Sequence, residues 1–310
     1  MPDQRQASRR AFLSGLAALS ATLSLPVSPS LAASPAILKK AIPTTGERLP
    51  VIGMGSWITF NVGANTARRE ARVEVLRTFF AAGGGVIDSS PMYGSSQEVI
   101  GYCLERVPDK ARLFAATKVW TPFQWHGVSQ MKGAERLWGL ERLDLQQIHN
   151  LLSWEKHLET LLEGKAGRRI RYLGVTTSHG RRHAEMEAVM ASQPLDFAQF
   201  TYNLLDRQAE RRLLPLAAER GLAVIVNMPF RKGDLFDIFQ RHPLPGWAAE
   251  IDCSNWAQFF LKFIVSHPAV TCAIPATSRV DHMVENMGAI RGRLPGPKMR
   301  RAMVHYVEGL

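Results

Sequence analysis

Cysteine is scarce. Cys103, Cys253 and Cys272 are the only three in 310 residues, widely spaced and without a Cys-x-x-Cys. That argues against a disulfide framework or a zinc cage, and buried free thiols are the expected state. No Gly-x-Gly-x-x-Gly follows an early apolar run, which counts against a dinucleotide-binding open sheet. No later run is long and apolar enough to span a bilayer. Acidic residues are outnumbered, 27 Asp and Glu against 38 Lys and Arg, for a net charge of +11. The arginines are scattered and no aromatic residues interleave them in a stripe. The charge therefore reads as a solvated basic surface that favours anionic ligands, and no nucleic-acid partner is expected.

What is present begins with the first 32 residues. Ser8-Arg9-Arg10-Ala11-Phe12-Leu13 is a twin-arginine pattern, Leu13 to Leu25 is moderately apolar, and Ser30-Leu31-Ala32 is an acceptable processing site. Motif, apolar run and cleavage site in that order predict a signal read by the twin-arginine translocation (Tat) export machinery. The apolar run is too short to span a bilayer. Residues 1–32 are thus expected to be removed, leaving residues 33–310 as one α/β domain in the periplasm with no membrane anchor. The signal holds Arg5, Arg9 and Arg10 against Asp3, so its removal takes two positive charges off the chain.

From residue 49 onward, short apolar runs alternate with helical spacing. Strands are expected over 49–57, 85–88, 113–119, 143–149, 171–177, 197–202, 222–228 and 270–274. Helices are expected from Thr66, and over 97–106, 129–140, 154–162, 184–191, 210–220, 256–266 and 280–290, with 230–255 irregular. Eight strand–helix repeats with short links predict a (β/α)8 TIM barrel, the doubly wound open sheet being the competitor.

The stretch Gly85-Val-Ile-Asp-Ser-Ser-Pro-Met-Tyr-Gly94 delivers a carboxylate at a strand end and a phenol five residues later. Lys118 and His149 close the next two strands. In a barrel those ends meet at one mouth, so Asp88, Tyr93, Lys118 and His149 become neighbours. Each has a plain structural account taken singly: a helix cap, a packed turn aromatic, a snorkelling cation, a satisfied core histidine. Together they make chemical sense. An ammonium beside a phenol favours its ionised form, a carboxylate holds the ammonium, and a neutral imidazole can orient a carbonyl by hydrogen bonding. The set contains no covalent nucleophile and no metal cage.

These residues resemble the aldo/keto reductases over essentially the whole of residues 33–310. The motifs run in family order: Gly53-Met-Gly-Ser-Trp57, Asp88 to Gly94 with Glu98 and Gly101, Thr117-Lys118, Asp144 to His149, Gln199 with Tyr202 to Arg207, and Ile274-Pro275 with Glu285-Asn286. The resemblance implies a TIM barrel, NADP (with NAD as the alternative) across its C-terminal mouth, and a small-molecule carbonyl substrate. It assigns Tyr93 as general acid/base, Lys118 as modulator of its pKa, Asp88 as anchor of Lys118, and His149 as the carbonyl-orienting donor.

For the cofactor, the resemblance places Thr176, Thr177 and Gln199 at the nicotinamide carboxamide, and Asn227 where the family has a stacking tyrosine. It places Glu285 and Asn286 at the adenine. Ala276 and His282 stand where the family has its phosphate-clamping Lys and Arg, leaving Thr277, Ser278 and Arg279 for that work. Pro229, Phe230, Arg231 and Lys232 begin a loop over the site, positioned to contact the pyrophosphate. Trp57, Trp120, Phe123 and Trp125 lie on loops at the same mouth, as either an apolar substrate pocket or plain packing. The leading expectation is a periplasmic NADPH-dependent carbonyl reductase. A nucleotide-holding sensor on the same barrel is the second reading. Metal-assisted hydrolysis ranks last because His149 stands alone at the strand ends.

Overall fold

Short β-rich runs that are apolar on both faces have to be covered on both sides, which favours parallel strands wrapped by helices. The computed structural model describes residues 36–108 and 110–310. The twin-arginine segment lies outside the described residues.

Two short strands, β1 (Lys39–Ala41) and β2 (Arg48–Pro50), pair antiparallel as a hairpin. The remaining strands form one parallel sheet in sequential order: β3 (Met54–Gly55), β4 (Val86–Asp88), β5 (Phe114–Val119), β6 (Leu143–Ile148), β7 (Ile170–Thr176), β8 (Phe197–Thr201), β9 (Ala223–Asn227) and β10 (Cys272–Ala273). Bridges Ile52 to Ala273 and Gly55 to Ala276 join the last strand to the first and close the ring. The competing open sheet is thereby excluded.

Around the barrel run α1 (Thr66–Ala81), α2 (Ser96–Arg106), α3 (Gln124–Trp138), α4 (Trp154–Ala166), α5 (His183–Ser192), α6 (Leu213–Arg220), α7 (Asp234–Phe239), α8 (Trp256–Val265), α9 (Val280–Gly288) and α10 (Pro297–Glu308). Close approach explains two glycines at the seam. A Cβ on Gly53 would lie 2.9 Å from the Val86 carbonyl oxygen, and one on Gly55 2.9 Å from that of Ile274. Any side chain there would push the first strand off its neighbours.

Apolar side chains fill two regions. One lies between strands and helices. The other, including Val86, Phe114, Leu145, Tyr172, Phe197, Ile225 and Cys272, fills the barrel interior together with Ile42 and Leu49 from the hairpin. The hairpin thus stoppers the N-terminal end, and a hydrogen bond of 2.8 Å between Thr45 and the Tyr172 hydroxyl ties it down. The single strand expected over 49–57 divides here, because the chain leaves the hairpin at Pro50 and enters the barrel at Met54. The irregular stretch 230–255 contains α7, and α10 follows the expected last helix. In α10, Met303 and Val307 are buried and Arg300 caps the Phe263 carbonyl. All three cysteines are buried and free, as expected. Among the described residues no helix is long and apolar enough to cross a membrane.

Candidate active site

Strand periodicity builds the site. Side chains alternate across a strand, so residues two apart share a face. Along β4 to β6 the inward row runs Val86–Asp88, Phe114–Ala116–Lys118 and Leu145–Gln147, with His149 next in step. On β8 and β9 it runs Phe197–Gln199–Thr201 and Ala223–Ile225–Asn227. The apolar members belong to the interior core. Each row therefore turns polar towards the C-terminal mouth.

Asp88 and Lys118 form an ion pair, with 2 % and 1 % of their surfaces exposed. The Lys118 ammonium also donates to the Ser89 carbonyl at 2.9 Å. Asp88 Oδ1 accepts from Gln147 Nε2 and Gln199 Nε2, each at 3.0 Å. Burial opposes the charge on Lys118, but Asp88 and then Tyr93 outweigh it and leave the lysine pKa raised. The ammonium lies 5.1 Å from the Tyr93 ring centroid. Burial raises the Tyr93 pKa, and the charge and hydrogen bonding of Lys118 pull against that without reversing it. The phenol is therefore neutral and loaded with its proton at pH 7. The net direction is opposite to what an ammonium alone would produce, because desolvation is the larger effect.

His149 packs edge-on to Tyr93, ring centroids 5.6 Å apart. Burial, with the Lys118 charge second, drives its pKa down to about 2. It is a neutral imidazole throughout the working range. Its Nδ1 lies 2.8 Å from Ser90 Oγ.

Asp88, Tyr93, His149 and Gln199 line a cavity of about 770 Å³ at the mouth, whereas Lys118 is buried against Asp88 and is not part of its wall. Its wall includes the expected Trp57, Asp88, Tyr93, His149, Thr176, Thr177, Gln199, Asn227, Pro229, Phe230, Thr277, Ser278, Arg279, His282, Glu285 and Asn286. Strained backbone gathers on the surrounding loops: Ile58, Asn150, Leu151, Ser153, His179, Arg182, Met228, Arg231 and Lys232 all have positive φ. Such conformations persist only where the surroundings hold them, and they cluster at functional sites.

The wall fits a dinucleotide's nicotinamide end. Thr177 Oγ1 is buried with no hydrogen-bond partner and belongs to a residue on the cavity wall, so a carboxamide would satisfy it. Gln199 is already engaged: its Nε2 also reaches Gln147 Oε1 at 3.2 Å, and its Oε1 receives Asn227 Nδ2 at 3.4 Å. Asn227 further donates to the Thr177 carbonyl at 2.8 Å and accepts from Thr201 at 2.7 Å. It knits three strands together and offers no aromatic face.

Several expected residues are placed elsewhere. Arg231 is absent from the cavity wall and pairs with Asp206 at 3.1 Å, whereas Lys232 lines the wall, 4.9 Å from the Trp57 ring centroid. Arg279 lines the wall but is held by Asp281, with 3.0 Å from its Nε to Oδ1. Trp120, Phe123 and Trp125 do not line the cavity and are 40 %, 57 % and 72 % exposed. Phe123 precedes α3 and Trp125 lies in its first turn, where they stack on each other outside the mouth. Ile58, Met92 and Phe236 supply apolar wall instead. Sequence reasoning missed Gln147 and Ser90. Gln147 was legible from the inward parity it shares with Leu145 and His149; Ser90 carried no such signal. Among the described residues no group of three His, Cys, Asp or Glu is arranged to hold a metal ion.

Comparison with known proteins agrees with this geometry. The sequence model of the aldo/keto reductase family matches residues 51–302. Methylglyoxal reductase YeaE of Escherichia coli K12 is 23 % identical over 267 residues, covering 84 % of this chain and 93 % of its own. The NADH-specific methylglyoxal reductase of the same strain is 26 % identical over 252 residues, covering 67 % and 73 %. The crystal structure of an aldo/keto reductase from Klebsiella pneumoniae in complex with NADP and acetate superposes with a TM-score of 0.68 at 25 % identity, covering 84 % of this chain and 93 % of that one. With the closed barrel, the buried Asp88–Lys118 pair and a match over most of its length, the chain belongs to the aldo/keto reductase family.

Proposed function

We propose that the protein reduces an aldehyde or ketone to the alcohol with NAD(P)H, using Tyr93 as the acid. The observation that carries this is a neutral phenol and a neutral imidazole together on the wall of the 770 Å³ cavity, with the buried Lys118 ammonium 5.1 Å from the phenol ring centroid and paired with Asp88. The nicotinamide, when bound, supplies the hydride. Thr177 and Thr176 would hold its carboxamide, and Glu285, Asn286, Thr277 and Ser278 would hold the adenosine end.

The protein's own work is positional and electrostatic. His149 donates to the carbonyl oxygen and aims it at Tyr93. As negative charge develops on that oxygen, the Tyr93 proton moves to it from Oη. The phenolate left behind lies beside the Lys118 ammonium, which Asp88 keeps fixed. Solvent returns the proton. Trp57, Met92 and Phe230 keep the carbonyl in an apolar surround. The two methylglyoxal reductases among the relatives make small dicarbonyls the first substrates to try. NADPH consumption against a panel of aldehydes and ketones tests the reading; a protein that binds NADPH yet oxidises it with none of them would refute it.

For the cofactor we favour NADP, with Arg279 on the 2′-phosphate. The neighbouring carboxylate weakens that preference, because Asp281 already occupies the guanidinium. Asp281→Asn should release Arg279 and tighten NADPH more than NADH in a fluorescence titration. Equal changes for both nucleotides would remove Arg279 from the role. We also propose that residues 1–32 export the protein to the periplasm by the Tat route, on the order of motif, apolar run and processing site. In a fusion of residues 1–32 to a reporter, changing Arg9-Arg10 to Lys-Lys should abolish export; undiminished export would end the proposal.

A further inference from the structure

A neutral histidine carries one ring proton, and the hydrogen bond made by one nitrogen decides which nitrogen has it. For His149 the choice matters. Nδ1 faces Ser90, while among the described residues Nε2 has no protein partner and the residue lines the cavity. Only an Nε2–H tautomer can donate to a carbonyl there.

Ser90 is fully buried, and its hydroxyl stands between two groups. The Met92 backbone N–H donates to Ser90 Oγ at 3.2 Å. One lone pair of the oxygen is thereby used, and among the described residues its hydrogen has a single acceptor in reach, His149 Nδ1 at 2.8 Å. In the opposite arrangement Nδ1–H would donate to Ser90. The serine hydrogen would then be buried without an acceptor, and the cavity-facing nitrogen would be an acceptor unable to help a carbonyl. The same turn does two further jobs. The Ser90 carbonyl accepts the Tyr93 N–H at 3.0 Å, and the Ser89 carbonyl accepts from Lys118 at 2.9 Å.

We propose that Ser90 is a positioning residue that locks His149 in the Nε2–H tautomer, so that the nitrogen facing the cavity carries the proton. The tautomer stands on geometry alone; its consequence for rate rests on the carbonyl-reduction reading above.

Long-range 1H–15N spectra of the whole protein with 15N-labelled histidine test it directly, His149 being assigned by signals lost in His149→Gln. The parent protein should show Nε2 protonated and Nδ1 bare. In Ser90→Ala the proton should spread over both nitrogens, and kcat for carbonyl reduction should fall about tenfold to a hundredfold with NADPH affinity unchanged. Ser90→Thr, which keeps the hydroxyl, should restore the tautomer and most of kcat. A parent protein with the proton on Nδ1 overturns the proposal, whatever the variants do. So does Ser90→Ala with tautomer and kcat unchanged. The spectra need no turnover, so a failed reductase assay leaves the tautomer result standing and separates the two readings.

Discussion

Tyr93→Phe should bind NADPH with parental affinity and reduce 4-nitrobenzaldehyde about 10²- to 10⁴-fold more slowly, the usual worth of a positioned general acid. Phenylalanine keeps the ring against His149 and removes only the hydroxyl, so the cavity wall stays in place. The sign of the pH dependence follows from the same group. Reduction needs the protonated phenol and is lost as pH rises through its pKa. Burial raises that pKa above the ordinary phenol value, so in the parent the alkaline limb should lie above the range of an ordinary phenol. His149 adds no limb near neutrality, because burial keeps it uncharged down to about pH 2. Steady-state kinetics across pH check all three statements. A Tyr93→Phe protein as fast as the parent would mean that another group supplies the proton.

Lys118→Met should cost about 3–5 kcal/mol of stability, the penalty for stranding one member of a buried ion pair. Asp88 would keep its two amide donors, Gln147 and Gln199, but lose its Lys118 partner, the only cation paired with it among the described residues. Urea unfolding followed by circular dichroism measures the loss. The double variant Asp88→Leu, Lys118→Met should recover part of it, since no buried charge is then left unpaired, while Gln147 Nε2 and the Ser89 carbonyl lose their partners and keep the recovery incomplete. If the double variant is as unstable as the two single losses added together, the pair is not coupled and the buried network has been misjudged. Activity should fall in both variants, because the phenolate formed during reduction would have no ammonium beside it.

How far the site was legible depends on what each residue needs from its surroundings. Asp88, Lys118 and His149 were readable because each closes an apolar run, and a barrel sends strand ends to one mouth. Trp120, Phe123 and Trp125 were not. A loop aromatic reads the same whether it turns into a cavity or away from it, and here the first turn of α3 carries Trp125 outward. Arg231 and Lys232 are adjacent and chemically alike. One pairs with Asp206 and the other faces the cavity, and both have left-handed backbone, so no periodicity along the sequence separates them. The helix α10 was missed because its buried positions, Met303 and Val307, are few and sit among basic residues.

The amino-acid order alone determined the eightfold alternation, the inward parity of each strand, and the switch along each row from apolar to polar. These are local: side-chain alternation at period two and helical spacing near 3.6 act within a few residues. The tertiary structure alone decided which amides saturate Asp88, that Ser90 meets His149, that Thr177 is left without a partner, and that Asp281 occupies Arg279. Those contacts depend on the register between neighbouring strands, the closure of the ring and the paths of the loops. All three are set by how the whole barrel packs, and no short stretch of sequence carries that information.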